Sequence, residues 1–147
     1  MSARKRVYAR RLATLLSERK QETPELGRWH ERILAGLEFG AVDKIKAHAA
    51  LTDPELARLL GIGEATLRRA RAARTKLDAA TSDRLYRLSK IVAVAEEALE
   101  SAENAMSWLR RPQPALGGAV PLERLVTQAG ADEVETLLHR IDHGVYT

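Results

Sequence analysis

The 147 residues include no cysteine and a single phenylalanine, and aromatic side chains make up only 4% of the chain. Without cysteine there is neither a disulfide framework nor a thiol nucleophile, and the composition suits a reducing cytoplasm. No apolar run approaches the ~18 residues that a membrane span requires, and the basic N-terminus lacks the apolar core of an export signal. Glycine-rich phosphate loops, a serine elbow and paired catalytic carboxylates are also missing, so neither an enzyme nor a cofactor site is expected. His139 and His143 stand four apart, as two metal ligands on one helix would. They lack both the glutamate of a metalloprotease motif and an evident third ligand, so no metal is expected either. Proline is scarce as well, and its five residues lie where helices would begin or stop.

Charge is present in quantity but unevenly. Residues 1–90 carry 20 Lys and Arg against 11 Asp and Glu, whereas residues 91–147 carry 4 against 9. The halves are therefore +9 and −5, which together make the chain's +4. Two surfaces with different partners are implied, nucleic acid being the natural partner of the basic one. A chain of this length can bury ~68–70% of its unfolded surface, enough for one domain or for two small units sharing a core.

Apolar residues recur at helical spacing, which predicts an all-α fold. Residues 1–36 form a basic N-terminal arm in which Val7, Leu12, Leu15 and Leu16 give a weak stripe. The stripe is compatible with a solvated arm or with a docked helix. Thr23-Pro24-Glu25 starts a second helix, with Leu26, Trp29, Ile33 and Leu34 on one side and His30 at the surface. The segment Gly36 to Gly40 breaks it, and a short helix from Ala41 to about Ala50 turns Val42 and Ile45 inward.

A helix-turn-helix is predicted within residues 37–90. Thr52-Asp53-Pro54-Glu55 is a capping box with proline in the first turn. Leu56, Ala57 and Leu60 face inward, Gly61 closes the helix, and Gly63 opens the next, which buries Leu67 and Ala70. The spacing is steric: helices crossing at ~90–120° leave no room for a large side chain at Ala57, and the turn needs a residue tolerant of positive φ. The outer face of the second helix reads Glu64, Thr66, Arg68 and Arg69, with Arg71 and Arg74 beyond. These six are the candidate contacts to double-stranded operator DNA, since arginine pairs bidentately with guanine and neutralises phosphate. Paired half-sites would make the protein a homodimer.

Thr81-Ser82-Asp83 is read as the cap of a long helix. Its apolar positions Leu85, Leu88, Val92, Ala95, Leu99, Ala102, Met106 and Leu109 alternate by three and four. A coiled-coil seam has that spacing. Two alanines, and the widening by Ile91 and Ala98, fit better a helix that joins two units and buries a face against each.

Trp108 to Tyr146 then reads as two short helices on stiff turns. Pro112 and Pro114 stop a helix at Trp108-Leu109, and Gly117-Gly118 allow a sharp bend. Pro121 opens a helix closed by Gly130; Asp132 sets up the last, with Val134, Leu137, Leu138 and Ile141 on one face, and Gly144 ends it. Trp108, Leu109, Leu122 and Leu125 complete the expected core. This arrangement of Trp108-Leu109, Pro112, Pro114-Ala115-Leu116-Gly117-Gly118, Pro121-Leu122, Leu125, Thr127 and Gly130-Ala131 resembles the toxin-binding domain of Xre/ParS/MbcA-type bacterial antitoxins. Gln113 departs from the family's more usual asparagine. Leu99-Glu100-Ser101 departs from an aromatic-glycine break, leaving open whether the long helix stops at Ser101 or runs through.

The resemblance implies that residues 91–147 are a small helical toxin-binding domain. It implies an antitoxin that inhibits a cognate RES-domain, NAD-consuming toxin and, through the helix-turn-helix, represses its own operon. A free-standing transcription regulator with a C-terminal protein-interaction domain is the alternative. Arg140, His143, Gly144, Val145, Tyr146 and Thr147 are the expected toxin contacts. A dinucleotide-holding cleft is cationic, and the tail brings an aromatic ring and a carboxylate to it.

Overall fold

In the computed structural model residues 3–16 and 28–144 are described, with side chains from Arg10 onward. Among them the fold is all-α: helices α1 (Ala3–Leu16), α2 (Arg28–Ala35), α3 (Phe39–His48), α4 (Asp53–Leu60), α5 (Glu64–Ala73), α6 (Ala79–Leu99), α7 (Ala102–Leu109), α8 (Pro121–Arg124) and α9 (Gln128–Asp142). A 3-10 turn, Pro114–Leu116, lies between α7 and α8. None of these helices is long and apolar enough to cross a membrane.

The organising element is α6. Its consecutive residues Ile91, Val92, Ala93, Val94, Ala95 and Glu96 are all buried, so the helix is covered on every side rather than along one stripe. Helices α1, α2 and α4 pack on it from the N-terminal part, and α7 and α9 from the C-terminal part. Leu85, Leu88 and Ile91 are at most 1% exposed. Each such side chain stabilises the fold by ~1.5–3 kcal/mol relative to exposure. Ala93 and Ala95 let neighbouring backbones come close. The expected division at residues 90 and 91 falls inside this helix.

Arm residues Leu12, Leu15 and Leu16 are buried, so α1 is docked on α3 and α6. The Thr23-Pro24-Glu25 helix start, Leu26 and the Val7 side chain lie outside the described residues. In α2, Trp29 meets Tyr86 with ring centroids 5.7 Å apart, while Leu34 is 63% exposed and so does not join the core. The break after α2 ends at Glu38, not Gly40: Phe39 and Gly40 form the first turn of α3. Phe39 is 1% exposed, and burying that ring begins the helix two residues earlier than local spacing suggests.

The cap of α6 is also earlier than expected. Asp78 accepts a hydrogen bond from the Thr81 amide at 2.7 Å, which places Thr81 and Ser82 inside the helix. Ser82 is buried there because its hydroxyl accepts from the Leu37 amide at 2.9 Å, tying the α2–α3 link to α6. At the other end the long helix does break. Glu100 takes φ 66°, and Ser101 caps α7 by accepting from the Asn104 amide at 3.0 Å. The three-four spacing therefore does not continue as a single seam, and Ala102 is exposed.

Two further expectations are corrected in the C-terminal unit. Thr127, not Asp132, caps the last helix by accepting from the Gly130 amide at 3.0 Å. Gly130 accordingly lies within the first turn of α9 and does not close α8. A side chain on Gly130 would collide with the carbonyl oxygen of Arg124, so glycine is needed for close approach rather than for its φ. The core is formed by Leu109, Leu122, Leu125, Val134 and Leu138, all buried, whereas Trp108 and Ile141 are only half-buried. Trp108 sits in the last turn of α7, just before the proline loop, and packs against the core from its edge. Gly130→Ala should destabilise the protein by at least ~1–3 kcal/mol, the usual range for overpacking, because the obstacle is backbone. Thermal melts followed by far-ultraviolet circular dichroism would measure this, and an unchanged midpoint would contradict the packing described.

Candidate functional site

The helix-turn-helix is assembled by local rules. Thr52 accepts from the Glu55 amide at 3.3 Å, and Glu55 in turn accepts from the Thr52 amide at 3.0 Å. Together these satisfy two amides that the first turn of α4 leaves unpaired. Gly61 caps the helix at φ 69°, and the side chain of Arg84 lies so close that a Cβ there would collide with it. Ala57 is 2% exposed and Leu67 fully buried, as the crossing requires. Gly63 offers α5 no side-chain cap.

On α5 the candidate DNA contacts divide into two groups. Glu64, Thr66, Arg68 and Arg69 are exposed, and Arg69 Nη2 donates to Thr66 Oγ1 at 3.2 Å, one turn back. Arg71 is instead held from two sides. Its Nη1 and Nη2 donate to the two oxygens of Asp53 at 3.0 and 2.9 Å, and Nε donates to Asp43 at 3.3 Å. Arg74 donates to the other oxygen of Asp43 at 2.9 Å. Both guanidinium carbons stand 5.8 Å from the Phe39 ring centroid. Lys46 completes the cluster 2.8 Å from Asp53. Hydrogen bonds from Arg71 and then Lys46 hold the Asp53 carboxyl at about 2, below its usual 3.8. Hydrogen bonding to Asp53 correspondingly pushes Arg71 up.

A second link joins this unit to the C-terminal one. Arg110, the residue that caps α7, has Nη1 2.6 Å from Glu55 Oε2, and its Nη2 donates to the Ala50 carbonyl at 2.9 Å. Ala50 has φ 51°, unusual for a residue with a side chain, and Arg110 holds the carbonyl of that turn. Burial alone would raise the Glu55 carboxyl, but the hydrogen bonds from Arg110 and Thr52 outweigh it and the net direction is downward. Arg87 of α6 donates to the carbonyls of Leu125 and Val126 at 3.2 and 3.3 Å, and Lys90 stands 3.3 Å from Glu135.

The C-terminal unit presents a groove between the 3-10 turn and α9. Leu116 and Leu137 form part of its floor, and Arg124, Glu133, Thr136 and Arg140 edge it. Gln113 shapes the loop: its amide donates to the Ala119 carbonyl at 3.0 Å and its side-chain amide to the Trp108 carbonyl at 3.0 Å. Of the expected toxin contacts, Arg140, His143 and Gly144 are exposed at the end of α9. His143 Nδ1 lies 2.6 Å from the His139 carbonyl, and Gly144 leaves the helix at φ 73°. Val145, Tyr146 and Thr147 lie outside the described residues. His139 Nε2 is 3.5 Å from Glu135.

What the sequence reading missed is the group of carboxylates that claim its arginines. Asp53 was legible as part of a cap, but Asp43 lies 28 residues from Arg71 with no local pattern joining them. Glu55–Arg110 spans 55 residues.

The comparisons with known proteins agree on two domains. Residues 28–90 match the Antitoxin Xre-like helix-turn-helix domain, and residues 94–144 match the Antitoxin Xre/MbcA/ParS C-terminal toxin-binding domain. An Antitoxin Xre of Pseudomonas putida is 31% identical over 140 residues, 93% of this chain and 84% of that protein. An Antitoxin Xre of Photorhabdus laumondii is 30% identical over 114 residues, 75% of each chain. A Prs ADP-ribosylating antitoxin of a Sphingobium species is 32% identical over 96 residues, 59% of this chain and 60% of that protein.

Asp53 also sets an acid dependence. A carboxyl held below its unfolded value stabilises the fold at pH above that value, and loses its contribution as pH falls through the folded one. The window here is from about 3.8 down to about 2. Arg71→Gln should lower stability near neutrality and flatten the decline across this window. Urea unfolding midpoints of both proteins from pH 6 downward, to about pH 2, would show it; parallel curves would count against the pairing.

Proposed function

Since the chain belongs to the Xre antitoxin family, we propose that it inhibits a cognate RES-domain, NAD-consuming toxin through its C-terminal unit and represses its own operon through α4 and α5. The observation that carries the reading is the joining of a helix-turn-helix match and a toxin-binding match on the single buried helix α6. One chain can thereby hold a toxin and a promoter at once.

For DNA, α5 enters the major groove with Arg68 and Arg69 foremost, flanked by Glu64 and Thr66. The protein binds paired half-sites as a homodimer, as a symmetric operator requires. For the toxin, the docking face is the groove beside Leu116 and Leu137 together with Arg140 and His143, and the tail from Gly144 enters the cleft. Tyr146 fills an apolar part of that cleft, since a tyrosine ring buries a large area at little entropic cost. Loss of NAD and transfer of ADP-ribose both begin by breaking the bond between nicotinamide and ribose. An inhibitor that occludes the cleft therefore serves against either kind of toxin, and the name of the Sphingobium relative is compatible with the second.

Two measurements separate the surfaces. Arg68→Ala with Arg69→Ala should abolish gel shifts on the protein's own promoter, at ~1–3 kcal/mol per lost base contact, while leaving neutralisation intact. Unchanged shifts by the double variant would refute the DNA face. Deleting Gly144 to Thr147 should leave the gel shift intact and abolish the rescue of cells expressing the cognate toxin. Full rescue by the truncated chain would mean that inhibition uses another surface.

A further inference from the structure

We infer that Arg71 is a positioning residue for DNA recognition and not one of its contacts: it fixes the angle of α5 by joining α3, α4 and α5 through Asp43 and Asp53. The inference rests on the proposed DNA-binding role of α5 and deepens it. Arginine on a recognition helix is ordinarily counted as phosphate-binding charge. Here the fork geometry points the other way. Two of the guanidinium nitrogens are taken by both oxygens of Asp53, in the first turn of α4, at 2.9 and 3.0 Å, and the third by Asp43 of α3 at 3.3 Å. The side chain is 29% exposed, against 58% for Arg74, and it passes over the Phe39 ring, itself 1% exposed. Turning Arg71 to phosphate would release both carboxylates from it and set two anions beside the DNA backbone.

The helix needs such a fastening. Leu67 is the one fully buried residue of α5, the small Ala70 is half-buried against the core, and the N-cap, Gly63, makes no side-chain bond. These two small contacts restrain the roll of the helix less than a planar fork between carboxylates of two other helices, which restrains it in direction as well as distance. The position of Arg68 and Arg69 over base edges follows from that restraint. Base readout is sensitive to small displacements of the helix, whereas attraction to phosphate is not. Replacing the fork of Arg71 by the point charge of lysine is thus a loss of specificity with the electrostatic footprint preserved.

The test is quantitative. Affinity for the promoter fragment and for a scrambled duplex of equal length would be measured by fluorescence anisotropy over a salt series, for the full chain. The comparison takes wild type, Arg71→Lys, Arg71→Gln and Arg69→Gln, well below each melting temperature. Each phosphate contact contributes ~0.9 to the slope of log affinity against log salt. For Arg71→Lys we expect promoter affinity to fall about tenfold, roughly the effect of one mismatched base pair, with scrambled affinity and slope nearly unchanged. Arg71→Gln, which also removes a positive charge and unpairs two carboxylates, should bind both duplexes more weakly and lose promoter preference as well. Arg69→Gln, which removes a contact placed over base edges, is the reference for promoter preference lost through a missing base contact. Lysine keeps the charge but not the fork, so Arg71→Lys reports on geometry even if Arg71→Gln does not fold. Promoter preference kept at the wild-type ratio in Arg71→Lys, or in a folded Arg71→Gln, overturns the positioning role. Failure of the wild-type protein to prefer its promoter overturns the DNA-binding reading itself, before any variant is compared.

Discussion

A helix buried on every side has to be covered from every side, and that requirement on α6 shapes the molecule. Residues Ile91 to Glu96 have no solvent face, so neither the helix-turn-helix unit nor the C-terminal unit can leave without exposing half of the helix. Glu96 sharpens the constraint. A buried carboxylate is costly unless it is paired, and His48 from α3 and Arg11 from α1, at 3.7 Å for the latter, supply the partners. The arm, the third helix and the central helix are thereby joined by polar pairing as well as by apolar contact.

The ion pairs fall into those that hold and those that are available to bind. Asp43 and Asp53 occupy Arg71, and Asp43 also meets Arg74, so part of the basic character of residues 1–90 is spent inside the molecule. Glu55 serves twice, closing the cap of α4 and receiving Arg110 from the far end of α7. That shared carboxylate ties the start of the proline loop to the first helix of the helix-turn-helix. A change in one unit that moved Arg110 would be felt at the cap of the other. Arg87 of α6 likewise ties down the link between α8 and α9 by bonding the Leu125 and Val126 carbonyls.

Much of the fold was legible because its signals act within one helical turn. The capping box at Thr52–Glu55, the left-handed Gly61 and Gly144, the stop before Pro112 and the inward Val42, Ile45, Leu85 and Leu88 depend on neighbours three or four residues away. Reading failed where a distant group decided the outcome. Gly130 has the look of a helix end, yet lies in the first turn of α9, because the constraint on it is the Arg124 carbonyl. Thr81 and Ser82 look like caps, yet Ser82 is retained inside α6 by the Leu37 amide. The break at Glu100–Ser101 carries no glycine, so nothing local distinguishes it from a continuing heptad.

The sequence by itself determined the helices, the turn of the helix-turn-helix, the unequal charge of the halves and the motif at Trp108 to Gly144. All of these follow from short-range sterics, capping and composition. Only the tertiary structure decided which charges remain outward. Arg68 and Arg71 are the same residue type three positions apart on one helix, but one is exposed and the other lies between two carboxylates. The difference is made by Asp43 and Asp53, brought there by the packing of α3 and α4. A guanidinium takes whichever acceptors the fold sets within its reach, and their placement depends on how whole helices cross.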